Sequence, residues 1–306
     1  MLLNLQKEDE RIHTFLSSRY ISYDYFIFNG GEPHIKFKSI VTIIGDVHNF
    51  IDSNVAGEVR DSKVEIYSPI RNSEDLIKLL LAVDVLRRMK VSELILFIPY
   101  FPAARQDRVT SINEPFSLQV IAGVINSLKA DTVYVLDPHS DVVAATINNC
   151  IPLSNYKFIS KVISSCKKVY NLGKPIVLVS PDAGASKKIM SLAQSLTAGG
   201  HKVEVIKADK LRDVATGEIL SFEVYSTDLT GKHCIVVDDI CDGGGTFIGL
   251  AKELRRLGAA TLVLAVTHGI FSKGVNILLE YYDGIFTTNS FYKEESEVNN
   301  LHVIKL

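Results

Sequence analysis

Two adjacent carboxylates followed by a glycine-rich loop form the strongest chemical pattern in the sequence. Asp238 and Asp239 come at the end of an apolar run that starts at Cys234. Glycines allow a backbone to approach a ligand closely, and the amides at the start of a following helix favour an anion. Paired carboxylates beside such a loop suit sugar hydroxyls or a metal ion. We therefore expect a phosphate-binding site whose loop consists of Asp242, Gly243, Gly244, Gly245 and Thr246.

Thr246 is the last residue of this pattern and the first of an amphipathic stretch. Its hydroxyl can cap the helix that follows or donate to a phosphate oxygen. For the glycines taken alone, a tight strand-to-helix turn with an acidic cap is the alternative interpretation. The loop does not continue into Gly-Lys-Ser or Gly-Lys-Thr, so the sequence excludes a P-loop of the Walker type here.

Arginine side chains follow another apolar run in the N-terminal half of the chain. The segment Ile98–Arg108 contains Arg105, Gln106 and Asp107 and continues the run that starts at Leu94. Guanidinium groups at the carboxyl end of a strand suit a polyphosphate. Taken alone, the same charges equally fit a solvated surface loop.

Short apolar runs recur along the chain and would position both candidate sites. They are rich in Val and Ile and do not alternate with polar residues, which is typical of strands buried on both faces of a parallel sheet. Amphipathic stretches lie between them, starting at Ser73, a candidate N-cap, and at Thr246. This alternation predicts an α/β fold with parallel sheets. The runs are Leu94–Pro99, Thr132–Asp137, Ile176–Ser180, Cys234–Asp238 and Leu262–Thr267.

Composition limits the class of protein. The chain has 306 residues, of which 47% are hydrophobic, and a formal net charge of -2. At about 150 residues per domain this length predicts two domains, which we divide into 1–148 and 149–306. The charge argues against a strongly basic nucleic-acid-binding protein, and no apolar run approaches the roughly 18 residues of a membrane span. Four cysteines without C-x-x-C spacing, and a start without the apolar centre of a signal peptide, indicate a cytoplasmic protein.

Two segments carry a resemblance to a known family. Residues 235–246 resemble the motif for phosphoribosyl pyrophosphate (PRPP) that type I phosphoribosyltransferases share with PRPP synthetases. Ile98–Arg108 resembles the I-P-Y-x-x-x-A-R-Q-D-R element of ribose-phosphate pyrophosphokinases, which are the PRPP synthetases. The resemblance implies two tandem type I phosphoribosyltransferase-like domains, each a mainly parallel sheet flanked by helices. Shorter matches to the family occur at Phe28–Glu32, Asp137–Ser140, Val179–Gly184, Lys210–Arg212 and Thr267–Phe271.

The resemblance also implies an activity, which is transfer of the β,γ-diphosphoryl group of ATP to the C1 hydroxyl of ribose 5-phosphate. The implied products are PRPP and AMP, with Mg²⁺ as cofactor and a homo-oligomer as the assembly. Domain 1–148 would face ATP, and domain 149–306 would bind ribose 5-phosphate. The implied residues are Lys210 and Arg212 for catalysis; Phe28, Gly30, Glu32, Arg105, Gln106 and Asp107 for ATP; Asp238, Asp239 and residues 242–246 for ribose 5-phosphate; and His139 and Asp182 for the metal.

The chain departs from the family pattern at two places. The family usually has Thr where this chain has Gly243, which removes one hydroxyl contact to the phosphate. The segment Val109–Phe116 lacks the basic residues of the family's regulatory loop, so we expect weak or absent activation by inorganic phosphate. A non-catalytic paralogue of the synthetases and a PRPP-consuming phosphoribosyltransferase are the alternative functions. Residues 38–61 have no interpretation.

Overall fold

The computed structural model describes most of the chain from residue 61 onwards. It separates two compact units, Met1–Leu153 and Ser154–Leu306, by the density of their internal contacts. The boundary proposed from the sequence, after residue 148, falls just before the last strand of the first unit. The described residues are 61, 63–170, 175–212, 219–293 and 297–306, together with the backbone of 25–29, 32–36, 41–43 and 46–48; at 211–212 and 219–220, too, only the backbone is described.

The first unit contains a two-stranded hairpin and a six-stranded sheet. Its strands are β1 Tyr25–Asn29, β2 Glu32–Lys36, β3 Val41–Ile43, β4 Asp46–His48, β5 Lys63–Tyr67, β6 Glu93–Ile98, β7 Thr132–Leu136 and β8 Cys150–Leu153; its helices are α1 Ser73–Arg88, α2 Ser117–Ser127 and α3 Asp141–Thr146.

The six-stranded sheet has the order β4-β3-β5-β6-β7-β8. Strands β5 to β8 are parallel, and β3 pairs antiparallel with both β4 and β5. Helix α1 begins after Asn72, whose side chain accepts a hydrogen bond from the backbone N–H of Asp75 at 2.9 Å. The N-cap is therefore Asn72 and not Ser73, because it is the Asn72 side chain that satisfies a free amide of the first turn.

The second unit is built on a seven-stranded sheet in which only the edge strand is antiparallel. Its order is β11-β10-β9-β12-β13-β14-β15. The strands are β9 Ile176–Ser180, β10 Val203–Arg212, β11 Ile219–Val224, β12 His233–Cys241, β13 Thr261–Gly269, β14 Gly284–Thr288 and β15 Leu301–Ile304; the helices are α4 Tyr156–Val169, α5 Ala183–Ala198, α6 Gly245–Arg256 and α7 Asn276–Leu279.

Alternate side chains of the central strands enter two different cores. Val236 of β12 packs with Leu250 and Leu254 of α6 on one face of the sheet. The neighbouring residue Ile235 packs with α4 and α5 on the other face, near Leu192. Strands covered on both faces explain the uninterrupted apolar runs of the sequence. The observed layers confirm the predicted α/β fold with mainly parallel sheets flanked by helices.

Two further expectations can be compared with the described residues. All four cysteines there are free thiols, three of them buried. Within the described part of the chain, no helix is both long enough and apolar enough to cross a membrane.

Candidate active site

The predicted phosphate loop joins the carboxyl end of β12 to the start of α6. Gly244 is the N-cap of α6 and has φ +77°, a left-handed conformation that favours glycine. A Cβ at Gly244 would also lie 3.0 Å from Cδ2 of Leu278. Glycine has no side chain that could cap the helix, and the amides of a first helical turn favour an anion. Thr246 is the second residue of the helix and does not cap it, which corrects one of the two roles considered for its hydroxyl.

Asp238 and Asp239 lie near the end of β12, beside this loop. The backbone N–H of Asp239 donates to Oδ1 of Asp238 at 2.9 Å. Desolvation raises the pKa of Asp238 well above its usual value, and the Asp239 and Asp182 carboxylates raise it further. Two carboxylates held side by side in this way favour hydroxyl donors or a cation as partners.

Lys210 contacts Asp182, the N-cap of α5. The ammonium donates to Oδ2 of Asp182 at 2.5 Å, and Oδ1 accepts from the backbone N–H of Ala185 at 3.0 Å. Desolvation acts to raise the pKa of Asp182, but the hydrogen bonds from Lys210 and the backbone outweigh it, so this pKa is lowered. Asp182 is thus ionised at neutral pH, and it is a helix cap as well as the partner of a cation.

Lys210 and Arg212 lie in a strand, whereas the K-x-R element of the family that they resemble is a catalytic loop. Arg212 is the last residue of β10, opposite Ile219, and a register shift separates it from Leu211. The difference arises because the last residues of β10 pair antiparallel with β11, a partner that the sequence pattern did not reveal. Phe222, the cross-strand partner of Lys210, packs against α6, where a Cβ at Gly249 would overlap its ring.

The arginine-containing segment of the first unit lines a cavity of about 340 Å³ beyond the end of β6. That volume is at the lower end of the roughly 300–1,000 Å³ typical of ligand pockets. Thr110 donates a hydrogen bond to Glu114 at its rim. The lining residues are Arg105, Gln106, Arg108, Thr110 and Glu114.

Asp107 and His139 lie close together in the first unit. Asp107 is only 8% exposed, and Nε of Arg108 donates to its Oδ1 at 3.1 Å. Desolvation acts to raise the pKa of Asp107, but the Ser140 hydroxyl, the Arg108 guanidinium and His139 outweigh it and lower the pKa. The fold thus brings the end of β7, which carries the exposed His139, next to the arginine segment after β6.

Two family models match the sequence. The N-terminal domain of ribose phosphate pyrophosphokinase matches residues 45–129, and the phosphoribosyl transferase domain matches residues 153–294. The ribose-phosphate pyrophosphokinase of Hyphomonas neptunium is 33% identical over 223 residues, which cover 72% of this chain and 68% of that protein. The protein of the same name from Maricaulis maris is 33% identical over 231 residues, covering 75% and 70%. The chain belongs to the ribose-phosphate pyrophosphokinase family.

The fold agrees with this family. The structure resembles the crystal structure of phosphoribosylpyrophosphate synthetase from Mycobacterium smegmatis with a TM-score of 0.70. The match covers 98% of this chain and 91% of the other at 24% identity. The predicted family and fold class are both confirmed.

For three residues that the family resemblance assigned to ATP, the structure describes the backbone alone or nothing. Phe28 and Glu32 belong to β1 and β2, where only the backbone is described, and Gly30 lies outside the described residues. Arg212 is likewise described only by its backbone. Their roles in this member of the ribose-phosphate pyrophosphokinase family stay predictions.

The carboxylates of the second unit offer oxygen ligands of the kind that a magnesium ion prefers. Within the described residues, no group of three or more His, Cys, Asp or Glu could hold a metal ion. Magnesium is commonly held by one or two carboxylates together with water and substrate phosphates. Asp182 and Asp239 both act electrostatically on Asp238, so the oxygen ligands that magnesium prefers are close together. His139, the other predicted ligand, belongs to the first unit.

The T-H-G segment supports the phosphate loop from a neighbouring strand. His268 is 2% exposed, and its Nδ1 lies 2.7 Å from the hydroxyl of Ser290. Ser290 also donates to the carbonyl of Thr267 at 3.2 Å. Strand β13 pairs with β12 as far as Gly269, which lies opposite Cys241 at the start of the loop. The buried network therefore holds the end of β13 in place beside the loop.

Sequence reasoning missed one residue that lies against the phosphate loop. A Cβ placed at Gly243 would lie 3.6 Å from Cε and 3.7 Å from Cδ of Lys273. Lys273 follows the T-H-G segment and belongs to no motif that we recognised. Its only sequence signal is a basic residue in the turn after a strand that neighbours β12.

Proposed function

We propose that this chain is a ribose-phosphate diphosphokinase, which transfers the β,γ-diphosphoryl group of ATP to the C1 hydroxyl of ribose 5-phosphate. The transferred group becomes the diphosphate of PRPP, and AMP is released. The observation that carries the proposal is the loop after Asp238 and Asp239, which leads into helix α6 through a glycine N-cap in the left-handed conformation. Membership of the ribose-phosphate pyrophosphokinase family supports the same reaction.

In this proposal the end of β12 binds ribose 5-phosphate. Asp238 and Asp239 accept hydrogen bonds from ribose hydroxyls, and residues 242–246 hold the 5-phosphate. The amides and the dipole of α6 favour the phosphate dianion. Hydroxyl donors and cations stabilise the ionised form of Asp238, so substrate binding offsets the unfavourable pairing of the two carboxylates.

Lys210 and Arg212 are the proposed catalytic residues. The reaction brings two polyanions together, so positioning and cationic groups matter more than covalent chemistry. The Lys210 ammonium would stabilise charge on the transferred group. Because it pairs with Asp182 in this structure, it has to exchange that partner for phosphate oxygens during turnover.

The first unit is proposed to bind ATP. Arg105 and Gln106 line the cavity after β6 and suit the polyphosphate. Asp107 is proposed to orient the nucleotide from its buried position. The segment Phe28–Glu32, with Gly30 between them, is proposed to hold the adenine.

Magnesium is the proposed cofactor. When bound, it would neutralise part of the charge on the phosphates. Asp182 and His139 are the proposed protein ligands, and the lowered pKa of Asp182 keeps an ionised oxygen available at neutral pH.

The proposal extends to assembly, location and regulation. We propose a homo-oligomer, a dimer or larger, in the cytoplasm, and domains divided near residue 148. Weak or absent activation by phosphate is expected because the segment Val109–Phe116 contains no basic residue. Light scattering during size-exclusion chromatography tests the assembly, and a phosphate titration of activity tests the regulation.

The reaction itself is tested by incubating the chain with ATP, ribose 5-phosphate and magnesium chloride. A separate orotate phosphoribosyltransferase, added with orotate, converts any PRPP into a measurable nucleotide. We expect a signal that requires ribose 5-phosphate and disappears in Lys210→Met. Absence of PRPP from the folded wild-type chain would contradict the proposal, and nucleotide formation from PRPP and a nucleobase by this chain alone would favour a phosphoribosyltransferase.

A further inference from the structure

The turn after β13 is attached to the phosphate loop by its backbone. The N–H groups of Ile270 and Phe271 both donate to the carbonyl of Cys241, at 2.8 and 3.1 Å. Cys241 is the last residue of β12 and directly precedes the loop. The position of the turn relative to the loop is therefore fixed by hydrogen bonds, and does not depend on the conformation of any side chain.

The same turn is closed and anchored at both sides of Lys273. The N–H of Gly274 donates to the carbonyl of Phe271 at 2.8 Å, and both residues have positive φ. Phe271 and Val275 are 6% and 7% exposed, whereas Lys273 between them is exposed. Two buried anchors thus hold the backbone on which an exposed lysine is presented beside the loop.

The Lys273 side chain extends along the face of Gly243. Its Cδ and Cε lie at ordinary van der Waals distance from the position that a Cβ of Gly243 would occupy. The ammonium is one bond beyond Cε and lies more than 4 Å from that Cβ position, so the side chain extends past Gly243 beside the loop. Among the residues that the structure describes, none forms a hydrogen bond or an ion pair with the Lys273 ammonium.

We infer that Lys273 is a further phosphate-binding residue, which contacts the 5-phosphate of the sugar held by the loop. The inference rests on the proposed function and adds a cation to its phosphate site. Gly243 provides no side-chain hydroxyl for the phosphate, and Lys273 supplies a charged donor on the same side of the loop. A charge-assisted hydrogen bond to a phosphate is stronger than one from a neutral hydroxyl.

This role predicts a specific kinetic signature. The 5-phosphate takes no part in the bond that forms at C1, so its contacts are the same in the ground state and the transition state. Loss of such uniform binding raises KM and leaves kcat unchanged. Only the KM for ribose 5-phosphate is expected to rise, and the KM for ATP should stay the same.

The decisive comparison uses Lys273→Met, Lys273→Arg and the control Lys232→Met. Lys232 directly precedes β12, at the opposite end of the strand from the loop, and it pairs with Glu204. Each Met variant loses one positive charge and keeps an unbranched stem. We expect KM for ribose 5-phosphate to rise about tenfold in Lys273→Met, to recover mostly in Lys273→Arg, and to stay constant in Lys232→Met.

Isothermal titration with ribose 5-phosphate in the absence of ATP measures the same contact without turnover. The dissociation constant should rise about tenfold in Lys273→Met. An unchanged dissociation constant and KM in this variant would overturn the inference, as would a loss confined to kcat. If the wild-type chain binds ribose 5-phosphate more tightly than Lys273→Met does and makes no PRPP, the proposed function fails and the assignment of Lys273 stands.

A second variant tests whether Lys273 replaces a missing hydroxyl. Gly243→Thr in the Lys273→Met background places a hydroxyl beside the phosphate. In the wild-type chain only stem atoms of Lys273 lie within 4 Å of the new Cβ, at ordinary contact distance, and the unbranched Met stem is no bulkier. We expect the KM for ribose 5-phosphate to recover by a factor of about two to three relative to Lys273→Met. A further rise of KM in the double variant would contradict this substitution of one donor for another.

Discussion

The Lys210 ammonium lies 2.5 Å from Oδ2 of Asp182, while the other oxygen of the same carboxylate caps helix α5. One carboxylate therefore connects the hairpin of β10 and β11 to the start of helix α5 in the candidate active site. The lowered pKa of Asp182 keeps this pair ionised at neutral pH. Lys210 is held in a defined place near the paired carboxylates before any phosphate arrives.

Replacement of Lys210 by alanine should lower kcat far more than it raises KM for ribose 5-phosphate. The expected loss of kcat is on the order of 10²–10³, because the ammonium would stabilise charge that develops in the transition state. Steady-state kinetics measure both constants. The control is Lys187→Ala, an exposed lysine of α5, and it should retain activity. A change confined to KM would show that Lys210 only binds substrate.

Replacement of Asp238 by asparagine should stabilise the protein at neutral pH and abolish activity. The folded pKa of Asp238 lies above its ordinary value of 3.8, so the wild-type chain loses stability as the pH rises from about 4 towards the folded pKa. The amide cannot ionise, and its oxygen can still accept from the N–H of Asp239. We expect a gain in unfolding free energy of on the order of 1–2 kcal/mol at pH 8, and little at pH 4.

Urea unfolding at pH 4 and pH 8 measures this difference. The control is Asp84→Asn, which removes an exposed carboxylate that is ion-paired with Arg88 on α1. The free energy of unfolding of this control should not rise relative to the wild-type chain between pH 4 and pH 8. A destabilised Asp238→Asn at pH 8 would contradict the repulsion between the carboxylates of β12.

Replacement of Gly249 by alanine should lower kcat through Phe222. The new Cβ would overlap the ring of Phe222, which is the cross-strand partner of Lys210. Displacement of β11 would move Lys210 with it, and a small misplacement of a catalytic group can cost a factor of about 10² in rate. Steady-state kinetics with saturating substrates measure the loss.

Two further variants separate this mechanism from loss of stability. Phe222→Leu in the Gly249→Ala background relieves the overlap and should restore part of kcat. Gly123→Ala introduces the same change into α2, where the added Cβ meets no atom within 4 Å. It should stabilise the chain by up to about 1 kcal/mol without loss of activity. An unaltered kcat in Gly249→Ala would contradict the proposed coupling.

The sequence was sufficient to predict the central strands and the loop after β12. Strands such as β9 and β12 are covered on both faces, so their sequences contain runs of consecutive apolar residues that can be recognised without the structure. Gly244 was recognisable because its left-handed conformation and close packing both favour glycine. These features depend on residues that are neighbours in the chain.

Contacts between residues that are distant in the chain could not be predicted in this way. Lys210 and Asp182 are 28 residues apart in the chain, so no local sequence pattern records their ion pair. Lys273 reaches Gly243 only because the turn after β13 is tied to Cys241. The Asn72 cap differs from the predicted Ser73 by one position, since both residue types are good N-caps.

The measurement that tests the central claim most directly is ³¹P NMR of the reaction of ATP with ribose 5-phosphate and magnesium. It distinguishes a diphosphate on the sugar from a single phosphate, and AMP from ADP. We predict AMP and PRPP in equal amounts, with no ADP formed in step with the sugar product. Formation of ADP with a sugar bisphosphate, or no change in the wild-type spectrum, would contradict the account.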